Sequence, residues 1–445
     1  MRVEVASITP IGCGHRYCWH AGLTGSGHER QDSGFNCRLS TTQAMPRMTN
    51  QHEFHRFDQL PPYVFAQVTE LMLAARRAGD DIIDLGMGNP DLPTPGRIVD
   101  KICEVAQNPR THRYSSSRGI PHLRAAICEW YTRNYAVSAD PENEAIALIG
   151  SKEGLAHFVL MTVGPGDVVL CPDPGYPIHQ YSVTIAGGIL KTLPLNDTDE
   201  FLTDLERAVP ELRPKLLIIS FPHNPTTLSA SEPFFRRVVD LARQYRVMVL
   251  HDFAYAELAF EGYRPPSLLQ VPGASEVGIE FTSLSKSHSM AGWRVGFACG
   301  NPEMIQALAR MKSYLDYGIP TPIQVGAIEA LRGSQTCVAE HCAIYEARRD
   351  RLVDGLGKPG PGQWLIEKPP ATMFVWAGIP DSHRHLGSLE FSKRLLQGAS
   401  VAVSPGLGFG RAGEGFVRFS LVENEHRIRQ AVRNIRRLLA REAPR

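Results

Sequence analysis

Four apolar runs, each ending abruptly in polar residues, constrain this chain more than any other feature. They are "DVVLCPDPGYP" (167–177), "KLLIISFPHNPTT" (215–227), "VMVLHDFAYAE" (247–257) and "VGIEFTSLSK" (277–286). Strands that are apolar on both faces belong in a parallel sheet covered on both sides. Helical spacing fills the intervals, as in "EPFFRRVVDLARQY" (232–245) and "HLRAAICEWYTRNY" (122–135). Upstream, "DIIDLG" (81–86) reads as a short strand and "EAIALIGSKEGLAHFVLMTV" (144–163) as strand, tight turn and helix. The expected class is α/β with a mostly parallel sheet.

In open α/β sheets ligands bind outside the carboxyl ends of the strands. Ser151, Tyr176, Asn224, Asp252, Tyr255, Ser283 and Lys286 all fall at such ends. They are far apart in sequence, yet this architecture brings them to one crevice. After "NPEMIQALARMKSYLDYG" (301–318) the pattern changes to long charged helices, the strand-like "TMFVWAGI" (372–379), the turn-rich "VSPGLGFG" (403–410) and the strand "GFVRFSLV" (415–422). Residues 54–95 and 335–445 are therefore expected to build a smaller α+β domain around a large domain of residues 96–334.

With 445 residues, 43% of them apolar, the chain can bury two cores. A net charge of +1 lacks the basic face that nucleic acid or a membrane surface requires. No apolar run approaches the ~18 residues of a membrane span. The nine cysteines form no disulfide framework. Cys103, Cys128, Cys171 and Cys299 sit in apolar patterns and read as small buried hydrophobes of a reduced, cytoplasmic protein. Residues 1–53 lack period, and read as a disordered tail or as a start-site artefact with Met45 or Met48 as the true start. Cys13, His15, Cys18 and His20 match no standard zinc spacing, and no metal is expected. The segment also lacks the layout of a signal peptide.

The polar strand ends suggest one chemistry. In "LIGSKEG", Gly150, Ser151 and Lys152 stand where a strand turns into a helix, and free amides there plus a hydroxyl suit a phosphate. An ordinary serine N-cap would explain that turn taken alone. Asp252 ends an apolar strand, so its carboxylate is buried and needs a partner such as a pyridinium N–H. Tyr255 and Asn224, in "HNPT", are each weak signals alone. Lys286 lies among Ser283, Ser285 and Ser287, with Arg294 beyond. An amine held near other cations can have a lowered pKa and form an imine with an aldehyde, while Ser283, Ser285 and Arg294 add phosphate ligands. A lone loop lysine is usually solvated. Here an anion site, a carboxylate, an amine and further phosphate ligands all suit one phosphorylated pyridine aldehyde, pyridoxal phosphate.

"HNPT", "HDFAYAE" and "SLSKSHSMAGWRVGF", in this order, resemble the fold-type I aminotransferases of class I/II over roughly residues 54–440. "LPPYVF", "GSKEGLAH", "YPIHQY", "SLSKSHSMAGWR" and "KSYLDYG" further resemble bacterial alanine (glutamate–pyruvate) transaminases of the AlaC type. LL-diaminopimelate and aspartate aminotransferases are neighbours. The resemblance implies a seven-stranded, mostly parallel sheet and ping-pong transamination, with alanine and 2-oxoglutarate giving pyruvate and glutamate. It implies that Lys286 carries the cofactor and moves the proton between Cα and C4′. Asp252 pairs with the pyridine nitrogen and His179 buttresses Asp252. Asn224 and Tyr255 bond the phenolic oxygen, and Tyr176 stacks on the ring. Ser151, Lys152 (by its backbone), Ser283 and Arg294 hold the phosphate. Tyr114, in "HRYSSSRG", reaches the phosphate of a neighbouring subunit, which implies a homodimer. Arg418, in "FVRFSLVEN", forks the substrate α-carboxylate, with Gly88 and Asn224 beside it.

Two departures stand out. Thr227 occupies the place of the usual glycine after "NPT", and Tyr176 that of a tryptophan in aspartate transaminases. The same residues could serve another pyridoxal phosphate reaction, such as β-elimination. A non-enzymatic regulatory module would usually carry a DNA-binding domain, and the N-terminal segment has no helix-turn-helix pattern.

Overall fold

The computed structural model describes Arg56, residues 58–60 and residues 64–442. The readings made for residues 1–53 lie outside the described residues. Among those described, the strands in chain order are β1 (Ile83–Asp84), β2 (Ala145–Leu148), β3 (Val168–Asp173), β4 (Ile189–Pro194), β5 (Leu216–Ser220) and β6 (Met248–Asp252). There follow β7 (Gly278–Ser283), β8 (Gly296–Gly300), β9 (Phe374–Gly378), β10 (Val401–Ala402), β11 (Ser404–Pro405) and β12 (Phe416–Ser420).

Seven of these form one sheet in the order β2-β8-β7-β6-β5-β3-β4. Strands β3 to β7 run parallel to one another, and β8 alone is antiparallel to its neighbours β7 and β2. The expected mostly parallel α/β sheet is therefore present. Every residue of β5 is buried, and the side chains alternate between two cores. Leu217 and Ile219 pack on one face with Phe235 and Val239, while Leu216 and Ile218 pack on the other with Phe158 and Val159. That alternation is why the strand reads as one apolar run.

The helices have identifiable causes. Helix Glu232–Tyr245 starts at Ser231, whose hydroxyl accepts from Phe234 N–H at 3.4 Å, and has a proline in its first turn. Its buried residues Phe235, Val238, Val239 and Ala242 recur at helical spacing. The antiparallel pair β7–β8 matters most for the site. Antiparallel neighbours need only a short connection, so the turn Leu284–Ser287, carrying Lys286, stays pinned between adjacent strands.

A separate core gathers Ile83, Leu85, Leu352, Phe374, Val401, Val417, Phe419 and Ile435. It includes a three-stranded antiparallel sheet, β11-β12-β9, and the parallel pair β1–β10. The turn-rich stretch 403–410 contains β11 and a 3-10 turn, Gly406–Phe409. One expectation fails: Cys103 is exposed. On helix Gly96–Ala106 the buried stripe is Ile98 and Ile102, four apart, and the next residue points away from it. Cys128, Cys171 and Cys299 are buried as expected.

Candidate active site

Helix Ser151–Thr162 begins at Gly150, which has φ +77° and gives no side-chain cap. The first amides of the helix therefore lack a side-chain cap among the described residues. Arg294, at φ +54°, lays its guanidinium against this turn. A Cβ on Gly150 would come within 2.5 Å of Arg294 Nη2, and one on Gly296 within 2.7 Å of Ser151 N. Two glycines thus let a helix start, a strand and a guanidinium crowd together. Ser283, the last residue of β7, accepts from Ser285 N–H at 3.2 Å on the same wall. Amides, hydroxyls and a guanidinium converge there as an anion cradle.

Lys286 projects into the cavity beside this cradle. Its Nζ donates to Gly88 O at 3.2 Å. Burial pulls its pKa down to about 8, the positive charges of Arg418 and Arg294 push the same way, and Asp252 opposes them. Near neutral pH about a tenth of this amine is therefore unprotonated, far more than for an ordinary lysine, which suits a base or nucleophile.

Asp252 ends β6 with its carboxylate facing the cavity. One oxygen meets His179 Nε2 at 2.9 Å and the other accepts from Ala254 N–H at 3.3 Å. His179 is fully buried behind it. Tyr176 sets its ring edge-on to His179, with centroids 5.6 Å apart. Lys152 Nζ stands 5.9 Å from the Tyr176 ring centroid, so its side chain also reaches the cavity. Tyr255 is buried, which raises its phenol pKa, and packs edge-on against Phe374 at 5.6 Å.

Arg418, on β12, donates through Nη1 to Asn224 Oδ1 at 2.7 Å and through Nη2 to Gly86 O at 3.2 Å. The rings of Phe374 and Phe409 lie 4.0 Å and 4.6 Å from its guanidinium carbon. A Cβ on Gly88 would meet the Phe374 ring at 2.9 Å, so this backbone can approach Arg418 only as glycine.

One cavity of about 620 Å³ is lined by Gly88, Ser151, Lys152, Tyr176, Asn224, Asp252, Tyr255, Ser283, Ser285, Lys286, Arg294 and Arg418. Two predicted residues lie elsewhere. His179 supports Asp252 from behind, and Tyr114 stands 85% exposed on the outer surface, its ring 4.5 Å from that of Tyr317. The sequence reading missed Phe374 and Phe409 around Arg418, and the wall made by Phe65, Val68, Thr69 and Met72. Phe374 has a signal in hindsight, since it lies in the strand-like "TMFVWAGI".

This donor set fits pyridoxal phosphate. It offers a glycine-opened anion cradle, an amine of lowered pKa beside it, and a half-paired buried carboxylate able to accept from a pyridinium N–H.

Residues 80–435 match the family described as aminotransferase class I and II. Putative aminotransferase AatC of Rhizobium meliloti is 55% identical over 87% of this chain and 96% of its own length. Glutamate-pyruvate aminotransferase AlaC of Escherichia coli is 54% identical over 87% of this chain and 93% of that protein. LL-diaminopimelate aminotransferase of Moorella thermoacetica is 45% identical over 87% and 99%. Among solved structures, substrate-bound BacF of Bacillus subtilis superposes with a TM-score of 0.80 at 35% identity, covering 86% of this chain and 96% of that one.

Proposed function

The chain belongs to the class I and II aminotransferases, fold-type I enzymes dependent on pyridoxal phosphate, and on that footing we propose that it exchanges the amino group between alanine and 2-oxoglutarate, giving pyruvate and glutamate. The observation that carries the reading is the meeting of Lys286, Asp252 and Arg418 on one cavity. When bound, pyridoxal phosphate supplies an aldehyde for the amino group and a pyridine ring that draws electrons from Cα.

The chain's own groups do the rest. Ser151, the Lys152 amide, Ser283, Ser285 and Arg294 hold the phosphate. Asp252, steadied by His179, keeps a proton on the pyridine nitrogen, and a buried carboxylate does this better than a solvated one. Asn224 and Tyr255 hydrogen-bond the phenolic oxygen, and Tyr176 covers a ring face. Arg418 grips the substrate α-carboxylate, oriented by Asn224 and flanked by Phe374 and Phe409. Gly88 lets backbone approach that carboxylate. Lys286 would take the proton from Cα and return it on the carbon across the amino nitrogen. A pKa near 8 suits both directions of that transfer.

The identity to AlaC supports alanine. The second reading is LL-diaminopimelate as amino donor, which the 45% identical Moorella enzyme favours. The assembly proposed is a cytoplasmic homodimer. Exposed Tyr114, Tyr314, Leu315 and Tyr317 give an aromatic surface that a second copy would cover, and Tyr114 would then serve the partner's phosphate. The deciding experiment incubates holoprotein with a panel of amino acids, following visible absorbance, keto acid and ammonia. Alanine and glutamate should bleach the cofactor stoichiometrically and release no ammonia. Bleaching by diaminopimelate alone would favour the second reading, and ammonia would indicate elimination.

A further inference from the structure

Asp252 turns toward the cavity, so His251, one position earlier on β6, turns to the other face of the sheet. There it is fully buried between Phe235 and Phe253, at centroid distances of 5.0 Å and 5.1 Å. Its Nδ1 lies 2.8 Å from an oxygen of Glu280, directly opposite on β7 and also fully buried. Ser267 Oγ and Leu268 N–H also donate to that carboxylate, at 2.7 Å and 2.8 Å. Nε2 meets the Phe221 backbone at both polar atoms, 3.2 Å from its N–H and 3.1 Å from its carbonyl oxygen, accepting or donating according to its protonation.

A single imidazole thus ties the residue after β5 to β6 and β7. The next functional groups along these three strands are Asn224, Asp252 and Lys286. Stability is a weak reason for such a pair, because apolar residues of equal volume often replace buried charges without loss. The aromatic neighbours would accept such a replacement. A fixed geometry is the stronger reason, since hydrogen bonds set direction where ring packing does not.

We propose that His251, oriented by Glu280, is a positioning residue for transamination. It fixes the Phe221 backbone, and through it the place of Asn224 against Arg418 and the cofactor ring. The inference rests on the reading of Asn224 given above.

The test uses holoenzyme, reading the pH midpoint of the bound cofactor's visible absorbance, KM and kcat, and the thermal midpoint. Asn224→Ala is the reference: losing a hydrogen bond to the charged ring oxygen raises the absorbance midpoint by about one pH unit. His251→Asn keeps a donor toward Glu280 but cannot reach Phe221. It should move the absorbance midpoint the same way and raise KM about tenfold. His251→Gln, whose amide reaches the Nε2 position, should restore both. Adding Asn224→Ala to His251→Asn should produce no further shift.

If Asn224→Ala moves the midpoint while folded His251→Asn does not, or if the two shifts add, His251 is only structural and the proposal falls. If Asn224→Ala itself leaves the midpoint unmoved, the reading of Asn224 fails and takes the proposal with it. Should His251→Asn not fold, His251→Phe with Glu280→Gln fills the same space among the rings and must show the same shift.

Discussion

Arg418 and Asn224, 194 positions apart, share a hydrogen bond of 2.7 Å, and the guanidinium that makes it is clasped by two phenylalanine rings. The cation proposed to bind the substrate carboxylate is therefore preoriented by the loop proposed to contact the cofactor. Arg418→Lys keeps the charge but loses the planar fork and its ring packing. The expected result is a loss of about 3 kcal/mol of transition-state binding, roughly a hundredfold in kcat/KM, carried mainly by KM. Steady-state kinetics with the amino donor check it, and an unchanged KM would remove Arg418 from carboxylate binding.

Lys286 makes the cofactor-free protein's stability depend on pH. Its folded pKa of about 8 lies below the ordinary 10.5, so between these values the unfolded chain binds more protons. Stability contributed through this group therefore rises with pH across that window, and below about 8 the full penalty applies. That penalty is of the order of 3 kcal/mol. Denaturant unfolding of cofactor-free protein at several pH values should show the rise, and Lys286→Met should flatten it. An equally steep rise in Lys286→Met would assign the effect elsewhere.

Thr227 sits at φ +62°, a left-handed conformation that a β-branched residue adopts only under strain. The family's usual glycine is explained by that angle, and this chain keeps the turn without it. Thr227 N–H still bonds His223 O at 2.9 Å. Thr227→Gly should stabilise the protein by about 0.5–1 kcal/mol, the relief of strain less the extra unfolded-state entropy of glycine. A denaturation midpoint that falls instead would show that the buried threonine side chain outweighs the strain.

Gly150→Ala should damage the cofactor site more than the fold. The added methyl needs the space of the Arg294 guanidinium, and φ +77° disfavours alanine. Cofactor affinity should drop about tenfold or more, a loss of one charge-assisted hydrogen bond. Equilibrium dialysis against pyridoxal phosphate measures it, and unchanged affinity would place the phosphate elsewhere.

The chemistry was legible where polarity changes abruptly. Asp252 ends a strand buried on both faces and Asn224 and Lys286 each follow one, so the apolar runs mark where all three fall. Strand β4 was not legible, because it is an edge strand with both Lys191 and Thr192 exposed and no apolar run. β8 was hidden by its glycines at both ends. Cys103 misled because an apolar pattern marks a helix stripe, and its neighbours set the stripe one residue away. Phe374 and Phe409 reach Arg418 through strand register and a 3-10 turn, which no local pattern encodes. His251 and Glu280 gain meaning only once their strands are aligned.

The bond from Lys286 to Gly88 O joins a turn of the large sheet to the segment that follows β1 in the other core. The cavity that would hold a cofactor takes Tyr255 and Phe374 from that core and Lys286, Asp252 and Arg294 from the large sheet, so a cofactor bound there would share its binding energy between them. Heating the cofactor-free protein can then melt the cores separately, while holoprotein should unfold in a single calorimetric transition. The prosthetic group would act as the rivet of the molecule as well as its reagent.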